Sequence, residues 1–317
     1  MTNLDYDMIF IHLCHVVRWA IIGQTVWRNI MRSIVPDDTL INGYRVAHGT
    51  HGTGEPVVLV HGTPSSSYIW RNVYPKLVDA GYKVHLFDLL GFGLSERPWD
   101  QSVDTSVSGQ VPILHGLFDE WGLDTAHVVA HDIGGSVGLR FGVFHPDQAE
   151  TLTVLDSCTF DSWPSARTKQ QMADGLDVLI RKPDQEHRDH FREWLLTTVE
   201  DKETFDADAL KVFLEYISGP VGQASLFQHQ ISHYDSKHTM EINDDLTGLG
   251  ERPIQIIWGE KDAWQVTEWA HKLHAAIPGS DLHIVPDAGH FLMEDNATTV
   301  ADLLTTFFRA NPLKQTG

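Results

Sequence analysis

Short, nearly continuous apolar runs recur through the first half of the chain. Residues 57–60 (V-V-L-V), 84–87 (V-H-L-F), 127–130 (H-V-V-A) and 151–155 (T-L-T-V-L) are too short for helices and lack the alternation of half-exposed strands. They read as buried strands. Helical spacing fills the stretches between them: 69–80 closed by Gly81, 111–121 closed by Gly122, and 133–144 ended before Pro146. Buried strands separated by helices predict a mostly parallel sheet covered on both faces, an α/β fold. The rhythm starts near Thr39 and breaks after Ser157. From 160 to about 246 the pattern is charged and helical, with no buried strand. It resumes with strands at 254–258 and 282–285 and helices at 264–276 and 296–309. The expected organisation is a core of 36–157 and 248–317, interrupted by a helical cap at 158–247. Such an insertion sits over the carboxyl ends of the strands, where α/β sheets bind ligands.

Residues 1–35 precede this rhythm and read as an N-terminal helical extension. Its apolar stretch, 8–22, is broken by His12, His15 and Arg18, and falls short of the ~20 apolar residues a membrane span needs. Asp5 and Asp7 stand where a signal peptide carries basic residues. Packing on the main domain, or self-association, is the expected role, with membrane contact by this helix the lesser alternative.

Composition narrows the function. The 317 residues give room for one large core, and 42% hydrophobic against 21% charged residues is the balance of a folded globular protein. A net charge of −20 repels nucleic acid and anionic membranes, so neither is an expected partner. The two cysteines, Cys14 and Cys158, build neither a disulfide framework nor a C-x-x-C metal pair, which favours a cytoplasmic setting without a metal. His187 and His190 have helical spacing but lie in D-Q-E-H-R-D-H-F-R, where polar positions on a charged helix explain them better than ligation.

The candidate chemistry begins at Ala130-His131-Asp132-Ile133-Gly134, between the strand at 127–130 and the helix at 133–144. A nucleophile on a sharp strand-to-helix turn takes the form G-x-S-x-G, and here Ala130 and Asp132 replace the first glycine and the serine. Taken alone, Asp132 is as well explained as a helix N-cap. Two further residues argue for catalysis. Asp262 (W-G-E-K-D) and His290 (D-A-G-H-F) each follow a strand, ending at Trp258 and Val285, in the chain order nucleophile, acid, histidine. Asp156, also at a strand end, is the alternative acid. The loop His61-Gly62-Thr63-Pro64 follows the first buried strand, so the backbone N–H groups of Thr63 and Ile133 are candidates for an oxyanion hole.

The motifs H-G-T-P, D-L-L-G-F-G-L-S, A-H-D-I-G-G, G-E-K-D and A-G-H-F resemble the α/β-hydrolase superfamily. More narrowly they resemble its aspartate-nucleophile branch, the epoxide hydrolases and haloalkane dehalogenases, over roughly residues 39–308. The resemblance implies an ester between Asp132 and a substrate carbon, hydrolysed by water that His290 activates and Asp262 supports. No cofactor is needed. The substrate would be a small, largely apolar electrophile with water as co-substrate. Dehalogenases of this branch hold the halide with a tryptophan directly after the nucleophile, and often an Asn in the first loop. This chain has Ile133 and Thr63 there, leaving Trp163 and Trp194 of the cap as substitutes. Epoxide hydrolases protonate the ring oxygen from cap tyrosines or a histidine, for which Tyr216, Tyr234, His229 and His233 are candidates. Phe227 stands where a late cap tyrosine is common. An epoxide is favoured over a haloalkane. Ester, lactone or C–C bond hydrolysis is a further alternative, and so is a non-catalytic binding protein on the same scaffold.

Overall fold

A computed structural model describes residues 29–314. Most of the N-terminal extension therefore lies outside the described residues. Its end, 29–34, is helical and buries Met31 and Ile34 in the main core, with Val35 beside them. Among the described residues no helix is long and apolar enough to cross a membrane.

The protein has the α/β-hydrolase fold. Eight strands form one sheet: β1 (Asp37–Ile41), β2 (Tyr44–Gly52), β3 (Pro56–Val60), β4 (Lys83–Phe87), β5 (Ala126–His131), β6 (Ala149–Leu155), β7 (Ile254–Gly259) and β8 (Asp281–Val285). Their spatial order is β1-β2-β4-β3-β5-β6-β7-β8. β1 and β2 pair antiparallel, as do β2 and β4, and every other pairing is parallel. The edge hairpin is not announced by an apolar run. Its signal is Asn42-Gly43, both at positive φ (53° and 86°), the pair that a tight hairpin turn favours.

The expected helix at 69–80 is in fact two pieces. A 3₁₀ turn, Ser67–Trp70, is followed by a helix at Tyr74–Asp79. Pro75 has no N–H to donate and a φ suited to a first helical turn, so the helix begins there rather than running through. The helix Ile133–Phe144 lies where the spacing predicts it. Every regular element between β6 and β7 is helical.

The strand order decides where a ligand can sit. The chain leaves β3 for β4 on one side, while β5 to β8 build out on the other. β3 and β5 are therefore neighbours whose following loops diverge, which opens a crevice at their carboxyl ends. Val60 pairs with Ala130. The loop at 61–64 thus emerges directly beside Asp132.

Candidate active site

Asp132 occupies the turn between β5 and the helix Ile133–Phe144, with φ 57° and ψ −122°. A residue other than glycine is strained there, and the packing that holds it is visible in its neighbours. A Cβ on Gly62 would lie 2.4 Å from the Asp132 Cβ, and one on Gly134 would lie 2.2 Å from the His61 carbonyl oxygen. Glycine at both positions lets the two loops close on each other. The Asp132 side chain does not cap its helix and is free for other contacts.

Those contacts divide its two oxygens. Oδ1 accepts a hydrogen bond of 2.6 Å from the Thr63 N–H. Oδ2 lies 3.5 Å from His290 Nε2 and 3.3 Å from Cys158 Sγ. His290 Nδ1 in turn lies 2.9 Å from Asp262 Oδ2, while Asp262 Oδ1 accepts from the backbone N–H groups of Trp264 and Gln265. The three residues singled out in the sequence are thus brought together, all buried. Asp156, the alternative acid, turns elsewhere. Its carboxyl accepts from Gly259 N–H, and burial together with the nearby Asp262 charge pushes its pKa well up, which favours a neutral acid. Asp262 therefore holds the histidine.

Burial alone would raise the Asp132 carboxyl. The His290 hydrogen bond and charge outweigh it, with the Thr63 N–H, and hold the group below the ordinary aspartate value of 3.8. The same ion pair acts on His290. Burial disfavours its cation, but the Asp262 charge and the Asp132 hydrogen bond prevail and raise it well above 6.5. His131 behaves oppositely. Burial, then the neighbouring His290, lowers it to about 4, so it is neutral and donates from Nε2 to the His290 carbonyl oxygen, 2.9 Å away. Trp264 stacks on His290 with ring centres 5.0 Å apart.

A cavity of about 240 Å³ opens in front of Asp132, lined by Thr63, Ile133, Cys158, Trp163, Trp194, Tyr234, Trp264 and Gln265 among others. The candidates from the inserted helices fare differently. Tyr234 reaches the cavity, and its hydroxyl donates to Thr63 Oγ1. Burial, and then the nearby Asp132 charge, push its pKa well above 10.0 despite that hydrogen bond. Tyr216 does not line the cavity; its hydroxyl is spent on the Ser65 carbonyl. His229 is buried away from it, and His233 faces Asp104 at 4.0 Å. Trp163 lines the cavity, but its N–H donates to Thr239 Oγ1 at 3.0 Å, so it presents only its ring. Trp194 stacks on Trp264 at 4.4 Å between ring centres, and the Trp264 N–H is spent on Thr197. Sequence reasoning missed His131, Cys158 and Gln265. The available signal for Cys158 was a small residue just past the end of β6, beside Asp156.

Residues 57–303 match the model of the alpha/beta hydrolase family, and the chain belongs to that family. It is similar to an uncharacterized protein of Mycobacterium tuberculosis, 28% identical over 273 residues that cover 84% of this chain and 79% of that one. Over 123 residues it is 39% identical to a soluble epoxide hydrolase of Corynebacterium sp. (strain C12), covering 39% of this chain and 42% of the relative. Among solved structures it resembles an alpha/beta hydrolase fold protein from Burkholderia ambifaria, with 29% identity and a TM-score of 0.78 over 85% of this chain and 97% of that one.

Proposed function

We propose that the protein is a hydrolase that opens a strained oxygen ring, most simply an epoxide, through an ester formed at Asp132. The observation that carries this reading is the division of the Asp132 carboxylate. Oδ1 is tied to a backbone N–H, while Oδ2 is left toward His290 at the floor of the cavity. A serine needs a base to become nucleophilic, whereas a carboxylate below pKa 3.8 is ionised throughout the neutral range. Oδ2 attacks an sp³ carbon of the ring, and the C–O bond breaks toward the ring oxygen. The resulting alkoxide takes the Tyr234 proton. His290, protonated in the free enzyme, then returns a proton to the tyrosinate and becomes the base for water.

The leaving group decides between oxygen and halide. A halide needs N–H donors turned into the cavity. Of the three tryptophans that line the cavity, Trp163 and Trp264 have their N–H groups committed to threonine hydroxyls, which leaves a halide at most the Trp194 N–H. An alkoxide needs a proton, and Tyr234 is a neutral phenol hydrogen-bonded to Thr63, the residue whose N–H anchors the carboxylate. The likeness to a soluble epoxide hydrolase supports the same choice. The helices between β6 and β7 serve as a cap that carries this acid and closes the cavity from above. Small, largely apolar electrophiles and water are the partners this cavity suits.

The test is turnover of a panel of terminal epoxides, β-lactones and primary haloalkanes, with Tyr234→Phe beside the wild type. Loss of a positioned acid typically costs 10²–10⁴, so Tyr234→Phe is expected to slow epoxide opening roughly 100-fold. A variant that opens epoxides at the wild-type rate would remove Tyr234 from the mechanism. Turnover of haloalkanes alone would overturn the oxygen reading. The pH profile is a second check. The free enzyme needs Asp132 ionised, and its pKa lies below 3.8, and it needs Tyr234 protonated, and its pKa lies well above 10.0. His290, raised well above 6.5, must be protonated as well, so kcat/KM is expected to be level from 3.8 to above 6.5 and to fall only on the alkaline side, and an acid limb near 6.5 would contradict the assignment.

A further inference from the structure

The wall of the cavity beside Asp132 holds a polar group that no step above uses. Gln265 is 5% exposed and lines the cavity, and its Oε1 is fully buried without a hydrogen-bond partner. Its backbone is clamped on both sides: the N–H donates to Asp262 Oδ1 and the carbonyl accepts from Trp258 Nε1. The orientation of the amide follows from its neighbours. A carboxylate only accepts, so Cys158, 3.3 Å from Asp132 Oδ2, must donate its S–H there. Burial and then the Asp132 charge raise the thiol pKa well above 9.0, which keeps that proton in place. With its hydrogen spent, Cys158 Sγ can only accept, and Gln265 turns Nε2 to it at 3.5 Å. Oε1 is left as an unpaired acceptor on a side chain that lines the cavity.

The rest of the wall offers little competition. Ile133, Trp163, Pro164, Trp194 and Trp264 present apolar surface, and the Ser162 and Ser165 hydroxyls accept from backbone N–H groups at turns. A buried carbonyl oxygen without a partner is costly, and a ligand that supplies a donor recovers that cost. We infer that Gln265 Oε1 accepts a hydrogen bond from a hydroxyl or amide N–H on the substrate. This rests on the reading of the cavity as the substrate site. The substrate would then be a polar-substituted electrophile whose donor lies near the reacting carbon, because Gln265 reaches Asp132 Oδ2 through the single atom Cys158 Sγ.

The test needs no bond making. Calorimetry on the intact protein would compare benzyl alcohol with toluene, 2-phenylethanol with ethylbenzene, and 3-phenylpropan-1-ol with propylbenzene. At least one alcohol is expected to gain about tenfold in affinity relative to its hydrocarbon, compared with the same ratio in Gln265→Met, the scale of one satisfied hydrogen bond. Gln265→Leu serves if Gln265→Met fails to fold. An alcohol-to-hydrocarbon ratio that Gln265→Met leaves unchanged in all three pairs, or a cavity that binds none of the six, overturns the inference. So does a Gln265→Met enzyme that keeps the ratio but accumulates an ester, since the amide would then serve the attacking water. Because binding is read without chemistry, a positive result stands even if no ring-opening turnover is found, and ring opening with an unchanged ratio overturns this inference alone.

Discussion

Asp132→Asn is expected to lower ring-opening turnover by roughly 10⁶-fold while leaving the protein folded, the scale on which removal of a nucleophile acts in triad hydrolases. The substitution keeps the volume, and the amide oxygen can still accept from the Thr63 N–H, the contact that Oδ1 makes now. What it removes is the charged Oδ2. The amide nitrogen cannot accept the Cys158 S–H, nor can it pair with protonated His290. His290 consequently loses one of the two carboxylates that raise it, so its pKa is expected to fall, with Asp262 still supporting it. That shift, followed by NMR titration of the histidine in the variant, separates loss of the nucleophile from loss of structure. A variant that retained a tenth of wild-type turnover would show that the carboxylate does not form the bond. The ester, lactone and C–C alternatives would then move ahead.

The arrangement that this prediction probes is legible in the sequence for a specific reason. Asp132, Asp262 and His290 each follow a parallel strand, and parallel neighbours deliver their following loops to one edge of the sheet. Strand order and short loops do the positioning, and both are written in apolar runs. The inserted helices offer no such constraint. Tyr216, His229 and His233 fall on short helical pieces that include a π-helical turn, Leu226–Gln230, and Tyr234 follows the last of these pieces. Such a turn shifts helical phase, so spacing along the chain no longer tells which side chain faces inward. Tyr216 turns to Ser65 and Tyr234 to Thr63, a difference of packing that the pattern does not encode. The contacts of Cys158 were hidden for a related reason. Its partners stand 26 and 107 residues away, on the nucleophile's turn and the acid's loop. Only the closed sheet brings them together. The edge hairpin and the split helix, by contrast, had local signals in Asn42-Gly43 and Pro75.

His290→Gln is expected to halt the cycle after its first half, so that intact-protein mass rises by one whole substrate molecule on exposure to an epoxide. The two halves make opposite demands on this residue. During attack, protonated His290 lies 3.5 Å from Oδ2, and the pair stabilises both charges. Ester formation neutralises Asp132, which removes the carboxylate's charge and hydrogen bond from the terms that raise His290, while burial continues to favour the neutral ring. The histidine thus becomes a base only once there is an ester to hydrolyse. Asp262, at 2.9 Å from Nδ1, remains to orient the ring and support the cation that forms when water gives up its proton. Thr63 N–H, already on Oδ1, receives the developing oxyanion, and the first N–H of the helix, that of Ile133, directly follows Asp132 in the chain. Glutamine cannot accept that proton as a base, so hydrolysis should slow roughly 10³-fold while attack proceeds. Peptide mapping should locate the added mass on Asp132. An adduct mapped to another residue, or wild-type turnover by His290→Gln without any adduct, would break the two-step scheme at the point where the protonation change is required.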